Sequence, residues 1–168
     1  MGALNEQGVL SARPSILIGG QDKPELAAGL LSLAVSEDVC GLYRCEATFG
    51  NWGTSNGAPG YLYFDRSLLD FGKQLQVKVG DVALFDGRIM ALEAQYPEGQ
   101  PPRITVLAED RLQDLRMTRR TRSFNDQSDA DVAQKITNDH GLTPQIDLGG
   151  PTHKLLAQVN QSDLAFLR

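Results

Sequence analysis

Through most of the first 108 residues, apolar and polar positions alternate with a period of two, which marks strands with one buried face. Leu31, Leu33 and Val35 alternate with Ser32, Ala34 and Ser36. Tyr43, Cys45, Ala47 and Phe49 alternate with the wetter set Leu42, Arg44, Glu46 and Thr48. Leu75, Val77 and Val79 take one face of a further strand, and Gln74, Gln76 and Lys78 take the other. Pro14–Gly20 and Arg103–Ala108 predict two more strands, and Ile89–Tyr96 alternates again. Turn residues separate these runs at Gly80-Asp81, at Asp86-Gly87, which reads as a hairpin, and at Pro97–Pro102. Over Glu25–Leu33 a helix competes with the strand, because LAAGLLSLA holds good helix formers. Gly50–Gly60, with four glycines and Pro59, predicts an irregular loop that Trp52 packs onto the end of the strand body. Six short strands at close intervals predict a small antiparallel β-barrel or sandwich.

At Glu109 the pattern changes. EDRLQDLR places Leu112 and Leu115 on one side of a short helical segment or turn. An arginine-rich run follows, with Arg116, Arg119, Arg120 and Arg122 within seven residues. Two readings stand for it: a contact for an acidic protein surface, or a solvated strand edge whose charges discourage edge pairing. Ser128 then opens a helix, with Asp131 three residues on as a capping-box acid and Val132, Ala133 and Ile136 as its apolar stripe. Gly141 is placed to close it in the left-handed conformation, with Leu142 folding back. Thr143–Leu148 and Lys154–Val159 predict short strands around the Gly149-Gly150-Pro151 turn. Gln161–Arg168 reads as a helix start, with Ser162 or Asp163 as cap and Leu164, Phe166 and Leu167 as its apolar side. The expected organisation is a flexible lead at 1–13, a β domain at 14–108, a small α/β subdomain at 109–160, and a helix beginning at 161–168.

Composition narrows the function classes. The net charge is −5, so binding nucleic acid through a basic surface is not expected. No run of 18 apolar residues offers a membrane span. The first residues carry neither a basic and apolar secretory leader nor the Ser or Thr that myristoylation wants at position 6. Cys40 and Cys45, an odd number of residues apart, point to opposite faces of a strand and read as small structural residues. His140 and His153 have no partner at a metal-ligand spacing. Asp126, Asp129 and Asp131 miss the glycine and glutamate of a calcium loop, and no serine sits in a nucleophile elbow. No catalytic, cofactor or metal residues are therefore expected, and an enzyme is not the reading.

Longer motifs carry a resemblance. Asp110–Arg116 (D-R-L-x-x-L-R), the arginine run into Phe124, Ser128–Leu142 and above all Gln158–Arg168 (Q-x-N-Q-S-D-x-x-F-L-R) resemble the bacteriophage late control gene D protein family. That family includes the hub part of valine-glycine repeat protein G of type VI secretion. The strand Gly41–Phe49 running into Asn51-Trp52 fits less specifically. The resemblance implies an amino-terminal piece of a trimeric baseplate hub that adapts a tail tube to a spike in a contractile phage tail or injection machine. The implied partners are other copies of the chain, the tube protein and the spike protein, without nucleic acid or cofactor. Assembly is implied in the bacterial cytoplasm and final residence in the baseplate. Arg116, Arg119, Arg120 and Arg122 are candidate protein contacts, and Gln74, Gln76 and Lys78 would line the lumen or meet the tube. A rival reading makes Ser128–Leu148 a lysin-motif-like peptidoglycan-binding unit, against which stands the absence of Trp and Tyr from 97–168.

Overall fold

A computed structural model describes residues 13–39, 41–55 and 57–168. Nearly all of the predicted lead, and Cys40 of the cysteine pair, lie outside the described residues. The chain divides into two compact units, one ending at Asp110 and the other spanning Arg111–Arg168.

The first unit is built on a seven-stranded sheet. Its strands are β1 (Ser15–Ile18), β2 (Gln21–Asp22), β3 (Leu30–Glu37), β4 (Tyr43–Gly50), β7 (Gln74–Val79), β8 (Val82–Gln95) and β9 (Arg103–Asp110). They lie in the order β2-β1-β7-β8-β9-β4-β3, and every pairing is antiparallel. The predicted antiparallel, mainly β class holds, but among the described residues the ladder does not close into a barrel. One face carries the core, drawn from Ile16, Leu75, Val77, Phe85, Ile89, Ile104, Val106, Ala47 and Phe49. It is covered by Leu26 of helix α1 (Pro24–Gly29) and by Tyr63 and Leu69 of the segment leading into β7. The helix and strand readings of Glu25–Leu33 are both realised in sequence. Pro24 at the first turn starts α1, and β3 takes over at Leu30.

Three bulges account for apolar side chains that face water. In β3 the extra residue is Leu31, and in β8 the extra residues are Leu84 and Met90. Each is squeezed out of its ladder, and each is exposed. The Met90 bulge restores parity, so that Ile89 pairs with Ala108 and Leu92 with Val106 on the same core face. The simple alternation expected over Ile89–Tyr96 is thereby broken.

Two expectations in this unit are corrected. Asp86-Gly87 is not a turn, because β8 runs straight through it and the hairpin lies at Gly80 (φ +58°). Gly87 is needed for close approach instead: a Cβ there would collide with the Glu109 carbonyl and the Phe85 ring. Gly50–Gly60 is not irregular but forms a hairpin of β5 (Trp52–Ser55) and β6 (Ala58–Tyr61). Its turn contains Gly57 at φ +81°, a conformation glycine adopts without steric cost. Asn51, fully buried, ties that hairpin down: its Oδ1 accepts from the backbone N–H groups of Leu62 and Tyr63 at 3.1 and 2.8 Å.

The second unit opens with a 3₁₀ turn, Arg111–Arg116, that buries Leu115. Strands β10 (Arg119–Ser128) and β11 (Thr152–Ser162) form a two-stranded ribbon. Helix α2 (Asp129–Asp139) has the predicted capping box. The Ser128 hydroxyl accepts from the Asp131 N–H at 3.2 Å, and Asp131 Oδ2 accepts from the Ser128 N–H at 3.0 Å. It ends as predicted at Gly141 (φ +63°), where Leu142 N–H donates to the Thr137 carbonyl at 3.0 Å. A four-residue helix, α3 (Asp163–Phe166), is capped by the Ser162 hydroxyl, which accepts from Ala165 N–H at 3.2 Å. The strand predicted over Thr143–Leu148 is absent. Pro144 removes one ladder donor there, and no neighbouring strand is placed to pair with the segment.

Candidate assembly surfaces

The arginine run divides into an inward and an outward pair. β10 and β11 face the helices of their unit with Arg122, Phe124, Leu156 and Gln158. Between Arg120 and Arg122 the register shifts, and β11 carries one extra residue around Asn160, whose φ is +47°. The shift brings Gln158 and Asp163, both buried, to the same side as Arg122.

Asp163 is the hub of this cluster, with its side chain 1% exposed. Its Oδ1 accepts from Arg122 at 2.7 Å and from Gln158 Nε2 at 2.8 Å. Its Oδ2 lies 2.8 Å from His140 Nε2 and 3.4 Å from Arg120 Nε. A carboxylate only accepts, so His140 Nε2 carries the hydrogen. Burial pushes the Asp163 carboxyl up. Hydrogen bonds from His140 and Gln158, with the charges of Arg122 and Arg120, outweigh burial and hold it below the ordinary value. Arg122 also donates to Gln158 Oε1 at 2.8 Å and reaches Asp139 at 3.3 Å. The motif residues Gln158, Ser162 and Asp163 thus serve the fold: they clamp α3, the end of α2 and the ribbon together. Periodicity gives no hint of this cluster, since Arg122 lies 17 residues from Asp139 and 41 from Asp163.

Arg116 and Arg119 are exposed, and among the described residues neither has a carboxylate partner. Arg119 donates only to the Asn160 carbonyl, at 3.3 Å. On the outer side of the ribbon, which Arg119 shares, Leu155 and Val159 are 60% and 64% exposed, with Ala157 between them. His153, which has no sequence partner at a metal-ligand spacing, has Asp129 Oδ1 at 3.3 Å from its Nε2.

Two further surfaces belong to the first unit. The sheet face opposite the core is largely polar, although Thr105 is buried there and Leu17 and Leu107 are half-buried. Asp86 accepts from Gln74 and Gln76 at 2.8 Å each, and the Thr48 and Thr105 hydroxyls meet at 2.9 Å. The second is an aromatic cluster that no short-range pattern connects. Tyr61 meets Trp52, Phe64 and Tyr96 at centroid distances of 5.4, 4.9 and 6.3 Å. Trp52 is half exposed, so it props the hairpin rather than sealing the end of a strand body. Among the described residues no three or more His, Cys, Asp or Glu side chains gather as metal ligands. No helix among them is long and apolar enough to cross a membrane.

Residues 17–168 match the family model of the Alg8 N-terminal domain. The chain belongs to that family. The family model that matches is therefore not that of the late control gene D family, which the motifs resemble. No curated protein matches the sequence significantly. This chain is similar in fold to the 43 kDa tail protein of prophage MuSo2 from Shewanella oneidensis, with TM-score 0.67 and 17% identity over 92% of this chain and 47% of that one. It is similar to the E. coli c3393 protein, a type VI secretion component described as structurally similar to the T4 bacteriophage tail proteins gp27 and gp5. There the TM-score is 0.60 and the identity 14%, over 90% of this chain and 41% of that one. A tail protein from Neisseria meningitidis gives 0.62 and 13%, over 92% and 43%. The chain spans less than half of each of these structures.

Proposed function

We propose that this chain is a structural part of the baseplate hub of a contractile phage tail or a related injection machine, where it helps adapt the tail tube to the spike. The observation that carries the reading is the fold likeness to phage and type VI secretion tail proteins over 90–92% of the chain. The surfaces agree with it. A sheet that buries one face and leaves the other polar suits a wall exposed to a water-filled channel, and β3 leaves one sheet edge open to a neighbour. In this reading Gln74, Gln76 and Lys78 belong to that wet wall. The partners are further copies of the chain in a trimer, the tube protein and the spike protein. The chain works without a cofactor and without chemistry of its own, and it is assembled in the bacterial cytoplasm before residing in the baseplate.

Reconstitution tests this. The gene product containing this chain, mixed with the tube and spike proteins of the same machine, is expected to sediment as a trimer and to bridge the two in electron micrographs. A product that stays monomeric and binds neither partner refutes the reading.

A further inference from the structure

The outer side of the β10–β11 ribbon remains unexplained by folding. A two-stranded ribbon alone is marginally stable, and this one is covered by helices on one side only. Its bare side shows Leu155, Ala157 and Val159, with Arg119 at the ribbon's end and exposed Arg116 three residues before it in the 3₁₀ turn, neither with an acidic partner among the described residues. Aliphatic centre and arginine border are the composition of a protein contact.

The same chain carries the complementary chemistry elsewhere. From Leu30 to Val39 there is no basic residue, while Glu37 and Asp38 stand next to fully exposed Val39. Leu31, extruded by its bulge, is 56% exposed on the same strand. A bulge on an edge strand disfavours simple ladder extension, which leaves side-chain contact as the way to use this surface. We propose that the outer face of the β10–β11 ribbon of one copy docks on the Glu37–Val39 end of the β3 surface of a second copy, with Arg116 and Arg119 meeting Glu37 and Asp38, and Leu155 and Val159 covering Val39. The two patches differ, so the contact is heterologous and builds rings or chains rather than stopping at a symmetric dimer. The proposal rests on the assembly reading and names one surface for it.

A charge swap, followed by sedimentation, is the test. The chain is expected to associate in a concentration-dependent way in 50 mM salt and less in 500 mM, because exposed ion pairs are screened. Arg116→Glu with Arg119→Glu is expected to weaken association about tenfold, since two exposed pairs are replaced by repulsions. Adding Glu37→Arg with Asp38→Arg to that variant is expected to restore it to within about threefold of the original. Leu155→Ser with Val159→Ser serves as an uncharged second probe and is expected to weaken association as well. Amide exchange of β10 and β11 is read in every variant to confirm the fold. Association that none of these variants changes overturns this surface and leaves the hub reading standing. A chain that stays monomeric at millimolar concentration also overturns the contact, whereas the hub reading is decided by binding to tube and spike. Weakening by the first swap without rescue by the second overturns the pairing with β3.

Discussion

Replacing Asp163 with alanine removes the acceptor on which four donors converge. The side chain is 1% exposed, Gln158 is fully buried, and the Arg122 side chain is 22% exposed. Removing one member of a buried ion pair costs about 3–5 kcal/mol, because the remaining charge stays desolvated. Arg122 keeps Gln158 and Asp139 as partners, which favours the lower half of that range. In a unit of this size about 3 kcal/mol corresponds to a midpoint lowered by roughly 12–24 °C. The only tryptophan, Trp52, lies in the other unit, so its fluorescence is an internal control. Amide exchange in β10 and β11 reports the loss. The pH dependence supplies a second readout. The folded carboxyl sits below its unfolded value, so the unfolded chain binds the proton more readily and stability rises with pH in that range. The contribution is complete above the unfolded value of about 4 and fades as pH falls through the folded one. Asp163→Asn is expected to lose this acid-range slope. If Asp163→Ala stays within about 1 kcal/mol of the parent, the cluster is not the clamp described here.

Other outcomes follow from single features. Gly87→Ala is expected to destabilise the first unit by about 1–3 kcal/mol or more through its clash with Glu109 and Phe85, seen as a lower denaturant midpoint by Trp52 fluorescence. Cys45 is buried, and that burial pushes its thiol up to about 12, so it is expected to resist a thiol reagent at pH 8 until the chain unfolds. Rapid labelling of Cys45 in the folded protein contradicts its placement. Ser128→Ala is expected to cost about 1 kcal/mol and to speed amide exchange in the first turn of α2.

The parts of the fold that could be read in the sequence are those set by neighbours in the chain. β4 and β7 followed from alternation, and α2 followed from its cap, stripe and closing glycine. What stayed hidden depends on distant residues. Gly87 looks like half of a turn until β9 is laid beside it. The Met90 bulge breaks the period that would have located the core side of β8. Arg122 and Arg119 are indistinguishable by type, and only the register of β10 against β11 sends one inward to Asp163 and the other into solvent. The Tyr61 cluster joins residues 52, 61, 64 and 96, which no short-range pattern connects.

The sheet of the first unit commits only one of its sides to folding. The exposed side chains on the hydrated side contribute little to whether the chain folds, so their charge and size can be rewritten with small effect on stability. Selection, or a designer, can therefore rewrite the surface that this face presents to its surroundings while the opposite side keeps the protein intact.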